Sequence, residues 1–185
     1  MAFGACIAHA WSACPGYTAG FKRNGAMGQV ISHHALLTVA LQDLHAGEQL
    51  WLERLPGLHG KAGLALQRYI EAERTRATTQ ARRLEDMAAE LEMDIDGSPN
   101  LWMKGILDDA KRDAETIEAG SLRDIALVGA FRKAKQAERV SYETAMGLAS
   151  YLFLNDISEA LTSIRDAEHE ADADLAAQLS QLLSR

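Results

Sequence analysis

The sequence predicts an all-α protein: four long helices in two antiparallel hairpins, with a short extra helix in the long crossover between them. Three observations lead there. Apolar residues recur at alternating spacings of four and three over long stretches, the period of one helix face. Prolines number only three, Ala and Leu are abundant, and no stretch alternates like a half-buried strand. Short breaks join the periodic stretches into two pairs, whereas about thirty residues separate the pairs, too many for a simple turn.

The first helix is expected from Val30 to Leu55, closed by Pro56 and Gly57, since proline cannot continue the backbone ladder and glycine suits a turn. Its stripe is Leu37, Leu41, Leu44, Glu48, Trp51 and Leu55. Glu48 is out of place on an apolar face. An ionised carboxylate leaves water at high cost unless a metal ion, a cation, a proton or local water partners it.

The second helix is expected from Lys61 to Met93, with the stripe Leu66, Ile70, Glu73, Ala77, Gln80, Leu84, Met87 and Leu91. Glu73 is thus a second acid on a core face. In the connection, Ser98 followed by Pro99 signals a helix start, and Met103, Ile106, Leu107, Ala110 and Ile117 recur at helical spacing. Such a helix lets the chain travel the length of a bundle before the second hairpin.

The third long helix is expected to open at Ser121, with Asp124 as its capping partner, and to run to about Leu154. Leu127, Phe131, Ala134, Glu138, Ser141, Ala145, Leu148 and Leu152 form its stripe. Asp156 and Glu159 are expected to open the last helix, whose stripe is Ile157, Leu161, Ile164, Glu168, Ala171, Leu175 and Leu182. Each long helix therefore offers one glutamate to the core.

Their number is weak ground, because acids are 26 of 185 residues and chance alone places about one on each stripe. Their depth is stronger ground. Glu48 lies roughly 12 Å before the first hairpin turn and Glu73 roughly 18 Å after it, at 1.5 Å per residue, and Glu138 and Glu168 are similarly matched in the second hairpin. The hairpins also resemble diverged copies: HAGEQLWLERL around Glu48 aligns with KQAERVSYETA around Glu138, and AERT around Glu73 with AEHE around Glu168.

One glutamate from each of four helices is the layout of ferritin-like di-iron and di-manganese proteins. Two divalent ions would cancel four carboxylates. The histidine usual three residues after the second and fourth glutamates is missing, since Arg76 and Ala171 stand there. Asp172, four residues after Glu168, is a substitute oxygen ligand, and His45, three before Glu48, is read as a flanking residue rather than a ligand. Tyr142 either bonds a ligand carboxylate or fills core.

The balance of charge is -7, and residues 1 to 30 carry +2 of it, which leaves -9 on the remainder. That disfavours nucleic acid and anionic membranes as partners. No run reaches the roughly 18 to 20 apolar residues of a membrane span. Cys6 and Cys14 form neither a metal motif nor a disulfide framework, consistent with a cytoplasmic protein. Residues 1–29 carry no helical stripe and are read as a poorly ordered leader, or as sequence preceding a natural start at Met27, ahead of a domain over 30–185. No nucleophile motif or glycine-rich phosphate loop occurs.

Several ordered pieces resemble the YciE/YciF-type ferritin-like family: L-x-D-L-x-x-x-E-Q from Leu41 to Gln49, Leu55-Pro56, Q-x-x-R-L-E from Gln80, M-x-G from Met103, R-D-x-A-L from Arg123, E-x-x-x-Y from Glu138 and E-x-x-x-D from Glu168. The resemblance spans about residues 35 to 180. It implies a four-helix bundle with an extra crossover helix, a homodimer, an association with bacterial stress responses, and a rubrerythrin-like carboxylate site.

This chain departs from the family pattern at Glu73 and Gln136, where His is usual, and at Arg76 and Lys135, where Glu is usual. Two readings follow. In one, Glu48, Glu73, Glu138, Glu168 and Asp172 hold one or two iron or manganese ions, with ferroxidase or peroxidase-like chemistry. In the other, the bundle is a metal-free structural or stress protein whose site is a salt-bridge network around Arg76 and Lys135.

Overall fold

The structure is a computed structural model that describes residues 29–97 and 99–184. The expected leader lies outside these residues apart from Gln29, as do Cys6, Cys14, Met27 and Ser98. Five helices follow one another: α1 (His33–His59), α2 (Leu64–Glu90), α3 (Leu101–Thr116), α4 (Ser121–Tyr151) and α5 (Asn155–Leu183). No strand occurs among the described residues, and no helix among them is long and apolar enough to cross a membrane.

The helix ends differ from the expected ones for identifiable reasons. Ser32 caps α1 by accepting the Ala35 N–H at 3.1 Å, so the helix starts three residues after Val30. Pro56 does not end it. The helix forgoes one backbone hydrogen bond there and continues to His59, a turn held by the burial of Leu58 in the core. Helices α2 and α4 stop short of Met93 and Leu154 because both end in the same motif. Glu92 (φ 51°) and Phe153 (φ 60°) turn left-handed, and the Met93 and Leu154 N–H groups reach back to the Ala88 and Ala149 carbonyls, each at 2.9 Å.

The expected capping pairs are not used. Ser121 is already helical, and Asp124 instead accepts the N–H of Gly63, the residue that caps α2, at 2.9 Å. A glycine has no side chain with which to cap its own helix, so an acid on α4 supplies the acceptor and ties the two hairpins together. Asp156 and Glu159 do not cap α5, whose cap position is Leu154. Helix α3 begins not at Pro99 but after Asn100, which is buried, accepts the Met103 N–H at 2.8 Å and donates to the Asp43 carbonyl of α1 at 2.9 Å. Trp102 Nε1 adds a bond to the Asp43 carboxylate at 3.0 Å.

The apolar core has two parts. One gathers Leu55 and Leu58 with Leu66 and Ile70, Leu127 and Phe131, and Leu175. The other gathers Leu37 and Leu41 with Leu84 and Met87, Tyr142 and Ala145, and Ile157 and Leu161. The late part of α1 thus meets the early part of α2, and the early part of α4 meets the late part of α5, so each pair runs antiparallel. Helix α3 packs on α1 and α4 and contributes Met103, Leu107 and Ala110 to the first cluster only.

Replacing Asp124 with Ala is expected to lower stability by about 1 kcal/mol, the usual value of a helix cap, in urea denaturation. Ser121→Ala should change it by less than about 0.5 kcal/mol. Equal losses would restore the local capping box.

Candidate functional site: a lysine inside a carboxylate layer

Between the two apolar clusters, all four helical stripes turn polar at one level. Glu48, Glu73, Glu138 and Glu168 are each at most 1 % exposed, as the stripes required. Glu73, Glu138 and Glu168 bring carboxylate oxygens within 4.8 Å of one another. Glu48 lies beside this group, with one oxygen, Oε1, accepting the Tyr142 hydroxyl at 2.8 Å. Tyr142 therefore fills core and bonds a carboxylate at once. Asp172 belongs to another network: it accepts from Arg132 Nε at 2.8 Å and from Gln136 Nε2, at the edge of the layer. His45 bonds Glu85 at 3.2 Å and lies near Gln49, and His169 is exposed.

The middle of the layer holds Lys135, which is fully buried. Its Nζ donates to Glu73 Oε1 and to Glu168 Oε2, the latter at 2.5 Å, and lies 2.8 Å from Glu138 Oε2, off the hydrogen-bonding direction. The ammonium also lies 4.9 Å from the ring centre of Trp51, a cation–π contact. Neutral donors complete the layer. Trp51 Nε1 bonds Glu138 Oε1 at 2.7 Å, Gln80 Nε2 bonds Glu168 Oε1 at 2.7 Å, and the Tyr69 hydroxyl bonds Glu73 Oε2 at 3.2 Å. Arg76, whose side chain is 22 % exposed, reaches in from the rim to the same Glu73 oxygen.

Burial pushes the Glu48 carboxyl up to about 8, with the Glu168 charge adding to it against Lys135. Burial likewise raises Glu138 well above the carboxylate range in spite of Lys135. Glu168 goes the other way: burial would raise it, but the charge and hydrogen bond of Lys135, with bonds from Glu138 and Gln80, hold it below its ordinary value. For Lys135 burial favours the neutral amine, yet Glu138, Glu168 and Glu73 together raise it well above the usual lysine range. Glu48 and Glu138 are thus shifted toward the protonated form and Glu168 toward the carboxylate, with two cations, Lys135 and Arg76, beside them.

The family model described as "Domain of unknown function (DUF892)" matches residues 32–185. The chain belongs to this family. Two solved structures show how far the DUF892 fold is shared. The E. coli stress protein YciF is similar with a TM-score of 0.81 at 21% identity, covering 84% of this chain and 99% of that one. YcfI from Rhodopseudomonas palustris is similar with a TM-score of 0.77 at 22% identity, covering 82% and 98%. No curated protein matches the chain.

The di-metal centre expected from the ferritin-like layout does not fit this DUF892 chain. The position central to Glu73, Glu138 and Glu168 is occupied by a protein cation, and those carboxylates hold it protonated rather than releasing it. A divalent ion would meet that charge at contact distance.

Lys135 was legible in the sequence as more than a substitution. Among the buried residues of α4, Phe131, Lys135, Glu138, Tyr142, Ala145 and Ala149 again alternate four and three. The expected stripe took Ala134, Ser141 and Leu148 instead, of which Ser141 and Leu148 are only half-buried. Choosing the apolar Ala134 over its neighbour hid the lysine. Nothing local, by contrast, marks Trp51 as the donor to a glutamate two helices away.

Raising pH should weaken the fold through Glu48. Its folded value, about 8, lies above the unfolded 4.5, so its contribution is complete below about 4.5 and is lost as pH climbs to and through 8. Glu48→Gln, which mimics the protonated acid, is expected to flatten the fall in urea-denaturation stability between pH 5 and pH 8.5 by roughly one proton's slope. An unchanged slope would show that Glu48 is ionised at neutral pH.

Proposed function

We propose that this chain is a stress-associated, ferritin-like four-helix bundle in which the carboxylate site has become a closed lysine–glutamate cluster, so that its role is structural rather than metal-dependent. The observation that carries this reading is the Lys135 ammonium in contact with the same three carboxylates that would otherwise ligate an ion. The two cations in contact with the layer, Lys135 and Arg76, support it, because they already offset the burial of its carboxylates. The stress association comes from the similarity to E. coli YciF. A cytoplasmic homodimer, with neither nucleic acid nor membrane as partner, belongs to the same reading and rests on the family resemblance and the net charge of -7.

The reading with one or two iron or manganese ions draws on one observation, the convergence of the Glu73, Glu138 and Glu168 oxygens within 4.8 Å. It requires Lys135 to leave or lose its proton, against the pull of three acids. Such a closed cluster provides no redox step of its own.

Elemental analysis of protein purified after iron or manganese supplementation decides between them. Well below one ion per chain is expected, with a thermal midpoint unchanged by chelator, since an ion bound only to the folded state would raise it. One or two ions per chain, lost together with stability on chelation, would overturn the proposal.

A further inference from the structure

We infer that the chain's own N-terminal segment, residues 1–28, folds back along a groove between α1 and α4 and covers it, with Tyr17 and Phe21 as apolar anchors. The inference is independent of the glutamate layer. It stands on the groove, on the place where the segment enters, and on charge.

The groove continues the seam that α3 fills. Helix α3 packs on α1 and α4, and its start is fastened at Asp43, by Asn100 to the carbonyl and by Trp102 to the carboxylate. From Asp43 toward the start of α1, no helix among the described residues takes over. The seam is lined there by Leu36, Val39 and Ala40 of α1 and by Val140, Thr144 and Leu148 of α4. Leu36, Val39 and Val140 are 44%, 42% and 56% exposed. Single exposed aliphatics are ordinary on a protein surface, but three along one groove form a contact face. The groove's volume, about 320 Å³, is at the low end for a small-molecule site, roughly 300 to 1,000 Å³, and suits a few side chains of a segment laid over it.

The apolar surface continues to the end of the bundle at which α1 begins. There the His33 ring lies against Tyr151, with ring centres 4.4 Å apart, so the start of α1 is beside the end of α4. Two residues from that contact on either chain segment, Ile31 is 82% exposed and Phe153 is 87% exposed. Phe153 also holds φ 60°, a left-handed position that glycine usually takes after a helix, so a bulky ring is presented outward where a small residue is favoured.

Residues 1–28 join the bundle at this same end, through Gln29. The eleven residues from Ser32 to Asp43 cover roughly 16 Å at the helical rise, whereas the eleven from Phe21 to Ser32 reach up to roughly 36 Å when extended. Phe21, and Tyr17 before it, therefore reach every part of the groove. The segment carries Lys22 and Arg23 and no acid, against -9 on the remainder, and the charged residue among those lining the groove is an acid, Asp43. A short tether keeps the segment at high effective concentration over the groove, so modest contacts suffice to hold it.

The test uses the full chain throughout. A nitroxide is attached between the two anchors in the variant Ala19→Cys/Cys6→Ser/Cys14→Ser, and broadening of amide resonances is read in isotope-labelled protein. Broadening is expected at residues 36–43 and 140–148, with none around Thr75 on the exposed face of α2. It should disappear on Val140→Lys, and should be absent when the nitroxide is carried only by unlabelled chains mixed with labelled ones. Val140→Lys is also expected to lower the thermal midpoint by several degrees in the wild-type chain and to leave it unchanged in Tyr17→Ser/Phe21→Ser, because substitutions that share one contact are not additive. Broadening confined to the start of α1 or spread over all faces would overturn the inference, as would an equal effect of Val140→Lys in both backgrounds. Broadening in the mixed sample would overturn it by placing a second copy of the chain on the groove.

Discussion

The interaction on which this structure depends is the contact of one buried ammonium with three buried glutamates. Each of these groups would be costly alone, since desolvating a single ion in a protein interior costs several kcal/mol even after relaxation. Together they cancel. Lys135 offsets one unit, Arg76 reaches in from the rim for another, and burial shifts Glu48 and Glu138 toward their protonated forms. Four other oxygens of the layer meet the Trp51 indole, the Gln80 amide and the Tyr69 and Tyr142 hydroxyls. A charge-paired and largely hydrogen-bonded layer of this kind contributes little net stability over an apolar one, but losing any charged member leaves its partners exposed to the full desolvation cost.

The layer also constrains the helices. It divides the core into two apolar clusters, each drawing on all four long helices. A slip of one helix along its neighbour would still bury leucine against leucine within either cluster. It would not keep Lys135 beside Glu73 and Glu168, and so would strand a charge. Polar positions in an otherwise permissive interface set register in this way in coiled coils. Here the caps add two further ties, Asp124 to the start of α2 and Asn100 to Asp43, which fix the hairpins and α3 against one another at the periphery.

The similarity to the E. coli and R. palustris structures at 21% and 22% identity shows that the fold is compatible with wide change in sequence. Four glutamates at one depth are what a ferritin-like di-metal centre requires, and they are what a lysine-filled layer requires as well. The discriminating residue is the cation, and it lies one turn before Glu138 on the same face.

The sequence by itself determined the helices, their order, the buried level of Glu48, Glu73, Glu138 and Glu168, and the family resemblance, because these depend on periodicity and depth along single helices. It also contained Lys135 on the buried face of α4, at four and three from Phe131 and Glu138. The helix ends were read less well: Pro56 was overridden by the packing of Leu58, and Asp124 serves a helix sixty residues earlier in the chain. Only the tertiary structure decided which partner each acid has. Asp172 turns to Arg132, Glu48 to Tyr142, and Glu73, Glu138 and Glu168 to a single ammonium. Those choices arise from side chains brought together across helices, where the balance of charge in a water-poor space selects the arrangement, and no local pattern along the chain carries that sum.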